Sequence, residues 1–144
     1  MTEEILKRLN ELLDETDFPL AKTSFLSNIK LSKLRAIRQN KNLPSIEIII
    51  ELSKFCNCSA SYILGLSKFP DEFEKGLDIA NIRSNLRRFI ELHPPRFFYL
   101  KCRGFFKQFP AFKKWLNGSV CPNTYIFVEL AKTLDLLAED LLRK

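Results

Sequence analysis

The chain has 144 residues, of which 46% are hydrophobic and 28% charged, and it carries a net charge of +6. These proportions exclude an intrinsically disordered chain and allow one domain or two small ones. The acidic start lacks the features of a signal peptide, and no uncharged run approaches the ~20 apolar residues that span a bilayer, so the sequence predicts a cytoplasmic protein with reduced cysteines and no membrane contact.

Helical periodicity dominates the first half. A helix is predicted near the start, with Thr2 as its N-cap and apolar residues at three- and four-residue steps: Ile5, Leu6, Leu9, Leu12 and Leu13. Residues 45–55 are rich in β-branched Ile, which favours a strand. However, the charges at Glu47, Glu51 and Lys54 form one polar stripe at helical spacing. The interpretation is therefore a largely buried helix capped by Ser45, followed by a short helix capped by Ser59.

The same pattern returns 78 residues later. This shift aligns Pro44 with Pro122, Glu51 with Glu129, Lys54 with Lys132, Ala60 with Ala138 and Leu64 with Leu142. It also aligns Asn40 with Gly118, two residues that tolerate the left-handed conformation where a helix ends. The sequence thus predicts two helical domains, residues 1–66 and 78–144, joined by a linker over residues 67–77 from which Phe69 and Phe73 dock on one of the domains.

Basic residues are concentrated in two segments. Residues 30–41 contain five basic side chains and no acid, and residues 83–114 contain nine and a single acid, Glu91. Such patches are typical of proteins that bind a polyanion. On charge alone, solvated helix faces explain them equally well.

The first half resembles the lambda-repressor/Cro-like helix-turn-helix family. The resemblance rests on Leu43-Pro44-Ser45 and on the run Ser-Ala-Ser-Tyr-Ile-Leu-Gly-Leu-Ser at residues 59–67. The second half resembles a divergent copy, through residues 115–118, Pro122-Asn123 and residues 129–142. The resemblance implies an all-α protein of two tandem five-helix domains, in each of which the second and third helices form the helix-turn-helix and the third enters the major groove of double-stranded DNA. It implies a repressor-like transcriptional regulator, of bacterial, phage or mobile-element origin.

In the first copy the family's recognition helix corresponds to residues 30–39. Leu34 and Ile37 are expected to face the core, with Ile29 and Leu31 before them. The predicted base-reading residues are Ser32, Lys33, Arg35, Ala36 and Gln39, and the predicted phosphate contacts are Lys22, Thr23, Arg38 and Lys41. The copy departs from the family in two places: Lys22-Thr23-Ser24 replaces the usual Gln, and Ser27-Asn28 replaces a turn Gly, although Asn28 tolerates the turn conformation.

The second copy is predicted to be a weaker DNA reader. Its candidate contacts are Gln108, Ala111, Lys113 and Lys114 at the groove and Arg96, Lys101, Arg103 and Lys107 at phosphates. Ten of the 13 Phe residues follow residue 68. They indicate either an aromatic core or an exposed surface for a homodimer or another protein.

No residue pattern indicates catalysis. His93 is predicted at a helix end before Pro94-Pro95, and Cys56-Asn57-Cys58 lacks zinc-site spacing. Neither a phosphate-binding glycine loop nor a catalytic triad is evident, so the sequence predicts a non-enzyme without cofactor or metal. The main hypothesis is a sequence-specific regulator. The alternatives are a protein-interaction module, such as an antirepressor, an antitoxin or an inhibitor of a nucleic-acid enzyme, and a nonspecific architectural DNA binder.

Overall fold

The computed structural model describes residues 2–95 and 123–144. Within these ranges all regular structure is helical, which confirms the predicted all-α class for this part of the chain. The α-helices are α1 (Thr2–Thr16), α2 (Leu20–Ser27), α3 (Leu31–Arg38), α4 (Ile46–Cys56), α5 (Ala60–Ile63), α6 (Ile82–Leu92), α7 (Thr124–Leu134) and α8 (Ala138–Leu142), and a 3₁₀ turn covers Ile79–Asn81. Among the described residues, none of these helices has the length and apolarity to cross a membrane.

The chain divides into two compact units, Met1–Lys75 and Gly76–Lys144. The division falls inside the segment predicted as a linker. The prediction that Phe69 docks on a domain is wrong, because its side chain is 71% exposed. The Ser67 hydroxyl accepts a hydrogen bond from the Phe69 N–H at 3.2 Å, so this segment turns locally and leaves the ring at the surface. Phe73 is half-buried, and its N–H donates to Asn57 Oδ1 at 3.4 Å.

The core of the first unit forms where α1 packs against α3 and α5, and α4 packs against α2 and α5. The predicted periodicity of α1 is confirmed for its buried residues, which are Ile5, Leu6, Leu9 and Leu13; Leu12 is half-buried. The other helices of the unit contribute buried residues as well, among them Leu34, Ile37, Ile49, Leu52 and Ile63. Burial of these aliphatic side chains is the main stabilising contribution to the unit.

Helix α4 confirms the helical interpretation of its isoleucine-rich segment. Glu47, Glu51 and Lys54 are exposed and form the predicted polar stripe. The Ser45 hydroxyl accepts a hydrogen bond from the Ile48 N–H at 3.4 Å. Ser59 caps α5 in the same way, with Tyr62 N–H donating to its hydroxyl at 3.1 Å. The predicted N-caps at Ser45 and Ser59 are therefore present, whereas Thr2, also predicted as an N-cap, is itself the first residue of α1.

One helix of the second unit repeats the local structure of its counterpart in the first. Helix α7 begins and ends 78 residues after α4, and Asn123, at the position equivalent to Ser45, accepts the Ile126 N–H at 2.9 Å. Two asparagine amides of the second unit bind α8. Asn81 Nδ2, in the 3₁₀ turn, donates to the Leu142 carbonyl, and Asn85 Nδ2, in α6, donates to the Leu141 carbonyl, each at 3.0 Å.

Candidate nucleic-acid interface

A tight turn joins α2 to α3. Helix α2 ends at Asn28, which has φ 61° and ψ 28° in the left-handed region. An asparagine accepts this conformation more readily than most residues, so the expectation that Asn28 takes up the turn conformation is confirmed. The Ser24 hydroxyl donates to the Ile29 carbonyl, and the Ser27 hydroxyl donates to the Thr23 carbonyl at 2.6 Å. Side-chain hydrogen bonds therefore fix the turn on its α2 side.

Helix α3 is amphipathic in the predicted register. It covers Leu31–Arg38, with Lys30 and Gln39 as its flanking residues, close to the predicted residues 30–39. Leu34 and Ile37 are 0% and 1% exposed, and Ile29 just before the helix is also buried. Leu31, expected to face inward, is half-buried.

The opposite face of α3 is polar and accessible. At about 100° per residue, Ser32, Ala36 and Gln39 lie at the centre of the outward face. Lys33 and Arg35 flank this centre on opposite sides. All of these side chains are exposed except Ala36, which is half-buried. The small Ala36 side chain leaves room for close approach of a ligand along this face.

The positive charge of this face is free to act on a ligand. Lys33 and Arg35 form no ion pair with any described residue, and both are exposed together with Lys30 and Lys41. Cations near the C-terminal end of a helix also interact favourably with its dipole. The candidate interface is thus a basic, unpaired helix face with polar groups at its centre.

Arg38 does not extend this face as expected. Its Nη1 lies 2.7 Å from Asp14 Oδ1 and donates to the backbone carbonyl and Oδ1 of Asn10 at 3.4 and 3.3 Å. The guanidinium is therefore bound to α1, and its contact with phosphate stays a prediction. The sequence pattern could not show this, because Asp14 is distant along the chain and becomes a neighbour only when α1 packs on α3.

Thr23 lies inside the domain, in contrast to its prediction as a phosphate contact. Its side chain is 1% exposed, and Thr23 Oγ1 has no hydrogen-bond partner among the described residues. Because α2 packs against α3 and α4, Thr23 and Ser27, one turn apart, both face inward. Lys22 is exposed, with its Nζ 4.1 Å from the centroid of the Phe18 ring in a cation–π contact.

One surface of α2 was missed by the sequence reasoning. Phe25 is 85% exposed and Leu26 is 51% exposed, whereas the polar Thr23 and Ser27 are buried. The helix thus turns apolar side chains outward and small hydroxyls inward. At helical spacing Phe25 points away from Thr23 and Ser27, so burial of these two residues exposes it. Reasoning from residue type alone instead favours burial of a phenylalanine.

The candidate contacts of the second copy lie outside the described residues. They are Arg96, Lys101, Arg103, Lys107, Gln108, Ala111, Lys113 and Lys114. Gly118, predicted to end a helix, lies there too, as do most of the phenylalanines that follow residue 68. The predictions made for these residues stay predictions.

The remaining reactive groups give no second candidate site in the part of the chain that the structure describes. His93 is exposed directly after α6, with its ring centroid 4.7 Å from that of Phe89. Burial raises the pKa of the Cys56 thiol to about 11, and the Glu15 carboxylate adds to the rise, so Cys56 is a poor nucleophile near neutral pH. No group of three or more potential metal-binding side chains occurs among the described residues.

Comparison of the chain with protein-family models, with curated proteins and with solved structures found no match. The function is therefore inferred from the residues of α2, α3 and the turn that joins them.

Proposed function

We propose that the protein binds double-stranded DNA at specific sequences and regulates transcription. The observation that carries the proposal is the pairing of α2 and α3 through the left-handed Asn28, with an unpaired basic face on α3. An α-helix fits the major groove of B-DNA, and a helix-turn-helix uses its second helix there. In this proposal α3 is the recognition helix.

The side chains of α3 divide by their position on the helix. Ser32 and Gln39, at the centre of the outward face, meet the edges of the bases, where the Gln39 amide pairs with adenine N6 and N7. Ala36 contacts a thymine methyl group. Lys33 and Arg35, on the two flanks, are long enough to reach guanine O6 and N7, which is the commonest specific contact of these side chains.

Lys22 and Lys41 supply affinity rather than sequence preference. Both are exposed, and they lie at the start of α2 and just after α3, where their ammonium groups meet phosphates on the walls of the groove. Phosphate contacts fix the register of a protein on the duplex but do not read sequence directly. They also make binding depend on salt, because each neutralised phosphate releases counterions.

The internal repeat supports a binding site with two halves. Helix α7 of the second unit has the length of α4 and a side-chain N-cap at the equivalent position, and in this proposal each helix-turn-helix unit covers one half-site. Because the two predicted recognition helices differ in sequence, the expected operator is asymmetric.

Selection of bound duplexes from a random DNA pool tests the proposal. Duplexes recovered with the purified protein are titrated by fluorescence anisotropy at two salt concentrations, beside a scrambled duplex of the same length. A motif bound at least ~10³-fold more tightly than the scrambled duplex is the expected result. Binding without a preferred motif, and with a steep salt dependence, would instead identify a nonspecific architectural protein.

The apolar surface of α2 favours a second candidate function, a protein-interaction module. Phe25 and Leu26 are adjacent and exposed, and exposed apolar groups of this kind mark protein-binding surfaces when they cluster. If the duplex selection fails, capture of one stoichiometric partner by the wild-type protein but not by Phe25→Ser would support this candidate. Capture by both proteins equally would reject the α2 surface as the binding site.

A further inference from the structure

Four polar side chains join α1 to the end of α3. Arg38 binds Asp14 and Asn10, as described above, and Asn10 Nδ2 in turn lies 2.9 Å from the Leu6 carbonyl, 3.2 Å from the Ile37 carbonyl and 3.1 Å from Asn40 Oδ1. We infer that this group, the α1–α3 clamp of Asn10, Asp14, Arg38 and Asn40, positions the recognition helix for base reading. The inference rests on the proposed function and makes Asp14 and Asn10 positioning residues for DNA specificity.

The clamp acts at the C-terminal end of α3. The last carbonyls of a helix have no partner within the helix, and the Ile37 carbonyl, one of these, accepts the Asn40 N–H at 3.1 Å. Asn10 Nδ2 supplies a second hydrogen bond to it from α1. Asn40, with φ 53°, ends the helix and lets the Lys41 N–H donate back to the Ala36 carbonyl at 3.2 Å. The end of α3 is therefore held both by its own backbone and by α1.

Apolar contact alone fixes the position of α3 less closely than the clamp does. The contact of Leu34 and Ile37 with the core is nondirectional, so it permits small rotations and sliding of the helix. Hydrogen bonds to Asn10 and the ion pair to Asp14 are directional, and they hold both the rotation of α3 and its distance from α1. Arg35 and Gln39 lie within one turn of Arg38 and are the base-reading candidates most affected. Binding side chains need placement to within about half an ångström.

A direct phosphate contact by Arg38 gives the opposite expectations. In that case Asp14 competes with DNA for the guanidinium, and removing its charge would strengthen DNA binding. Removing Arg38 would then lower the salt slope by about one, as for any lost phosphate contact. In the clamp, loss of either partner frees α3 and weakens discrimination, while the number of phosphate contacts is unchanged.

The test compares Asp14→Asn, Arg38→Gln and the double variant with wild type, on the selected duplex and on the scrambled duplex. Each single variant is expected to lower the specific-to-scrambled affinity ratio about three- to tenfold, with an unchanged salt slope, and the double variant is expected to be no worse than either single variant. Glu11→Gln is the matched control, because Glu11 is an exposed carboxylate on the same helix and should leave the ratio unchanged. Tighter binding by Asp14→Asn, or a lower salt slope for Arg38→Gln, would overturn the inference.

Hydrogen exchange separates failure of the clamp from failure of the proposed function. Amides at the end of α3, from Ile37 to Lys41, are expected to exchange about three- to tenfold faster in both single variants without DNA, while those of α4 keep their wild-type rates. If no duplex is selected by wild type, the proposed function fails and the clamp is still decided by these rates. Unchanged rates in both variants would overturn it in either case.

Discussion

Asn57 and Asp135, which lie 78 positions apart, end equivalent helices in the same left-handed conformation, with φ 50° and φ 57°. After Asn57 the Cys58 N–H donates to the Ser53 carbonyl at 3.0 Å, and after Asp135 the Leu136 N–H donates to the Ala131 carbonyl at 2.8 Å. This closing hydrogen bond is that of the Schellman motif. The two halves therefore share one helix ending although its residues differ.

Substitution of Asp135 by glycine is expected to stabilise the protein. A non-glycine residue in the left-handed region costs about 1 kcal/mol of backbone strain, and glycine removes that cost where the conformation is already required. We expect Asp135→Gly to raise the free energy of unfolding by about 0.5–1 kcal/mol in urea titrations. Lys132→Gly, inside α7, is the control and should lower it by about 1 kcal/mol. A loss of stability in Asp135→Gly would contradict this account of the helix end.

Local features of the fold could be predicted because their causes lie within a few residues. The caps at Ser45 and Ser59 and the left-handed Asn40 and Asn28 each depend on a hydrogen bond or a dihedral angle in one turn. The stripe of charges that identified α4 as a helix is likewise a short-range pattern. The same reasoning gave the register of α3, because Leu34 and Ile37 must face one side.

The features that sequence could not predict depend on contacts between helices. Arg38 is a surface cation in the sequence and becomes part of the clamp only through Asp14 on α1. Thr23 is polar but buried, because its position on α2 faces α3 and α4. Phe25 is apolar but exposed, because its position on α2 faces away from these two helices. The site was therefore predicted best where side chains project into solvent and worst where they meet a second helix.

The stability of the first unit should depend on Leu34 and hardly on Phe25. Leu34 is 0% exposed, and truncation of a buried leucine removes apolar burial and leaves a cavity. Leu34→Ala is expected to lower the free energy of unfolding by about 2–5 kcal/mol. Phe25→Ala should change it by less than about 0.5 kcal/mol, as for most surface substitutions. Urea unfolding of both variants checks this, and a large loss for Phe25→Ala would show that its ring is covered in the folded protein.

The Cys56 thiol should make the protein less stable as alkaline pH is approached. Burial raises its pKa from the ordinary 9.0 to about 11, with Glu15 adding to the rise. Between these values the unfolded state has lost the thiol proton and the folded state still holds it, so the free energy of unfolding falls as pH rises. Under reducing conditions, the fall between about pH 8 and about pH 10 is expected to be smaller in Cys56→Ser than in wild type. Equal falls would show that the thiol titrates alike in both states.

Alkylation gives an independent check on the same group. The thiolate is the reactive form of cysteine, and a pKa raised from 9.0 to about 11 lowers the thiolate population about 100-fold near neutral pH. Peptide mapping after brief iodoacetamide treatment of the folded protein should therefore show little labelling at Cys56, and urea-unfolded protein should be labelled at the rate of an ordinary cysteine. Rapid labelling of the folded protein would contradict the raised pKa.

The basic residues of the α3 interface should separate into two classes by their response to sequence and salt. Lys33→Ala and Arg35→Ala are each expected to lose about 1–3 kcal/mol of binding to the selected duplex, with relaxed preference at one base position, because bidentate contacts to guanine are lost. Lys41→Ala should weaken binding to selected and scrambled duplexes alike and reduce the salt slope by about one, because it removes a phosphate contact. Lys54→Ala, on the exposed stripe of α4, is the control for general loss of positive charge. Unchanged sequence preference in both Lys33→Ala and Arg35→Ala would mean that these side chains supply charge and that discrimination rests on the central Ser32, Ala36 and Gln39.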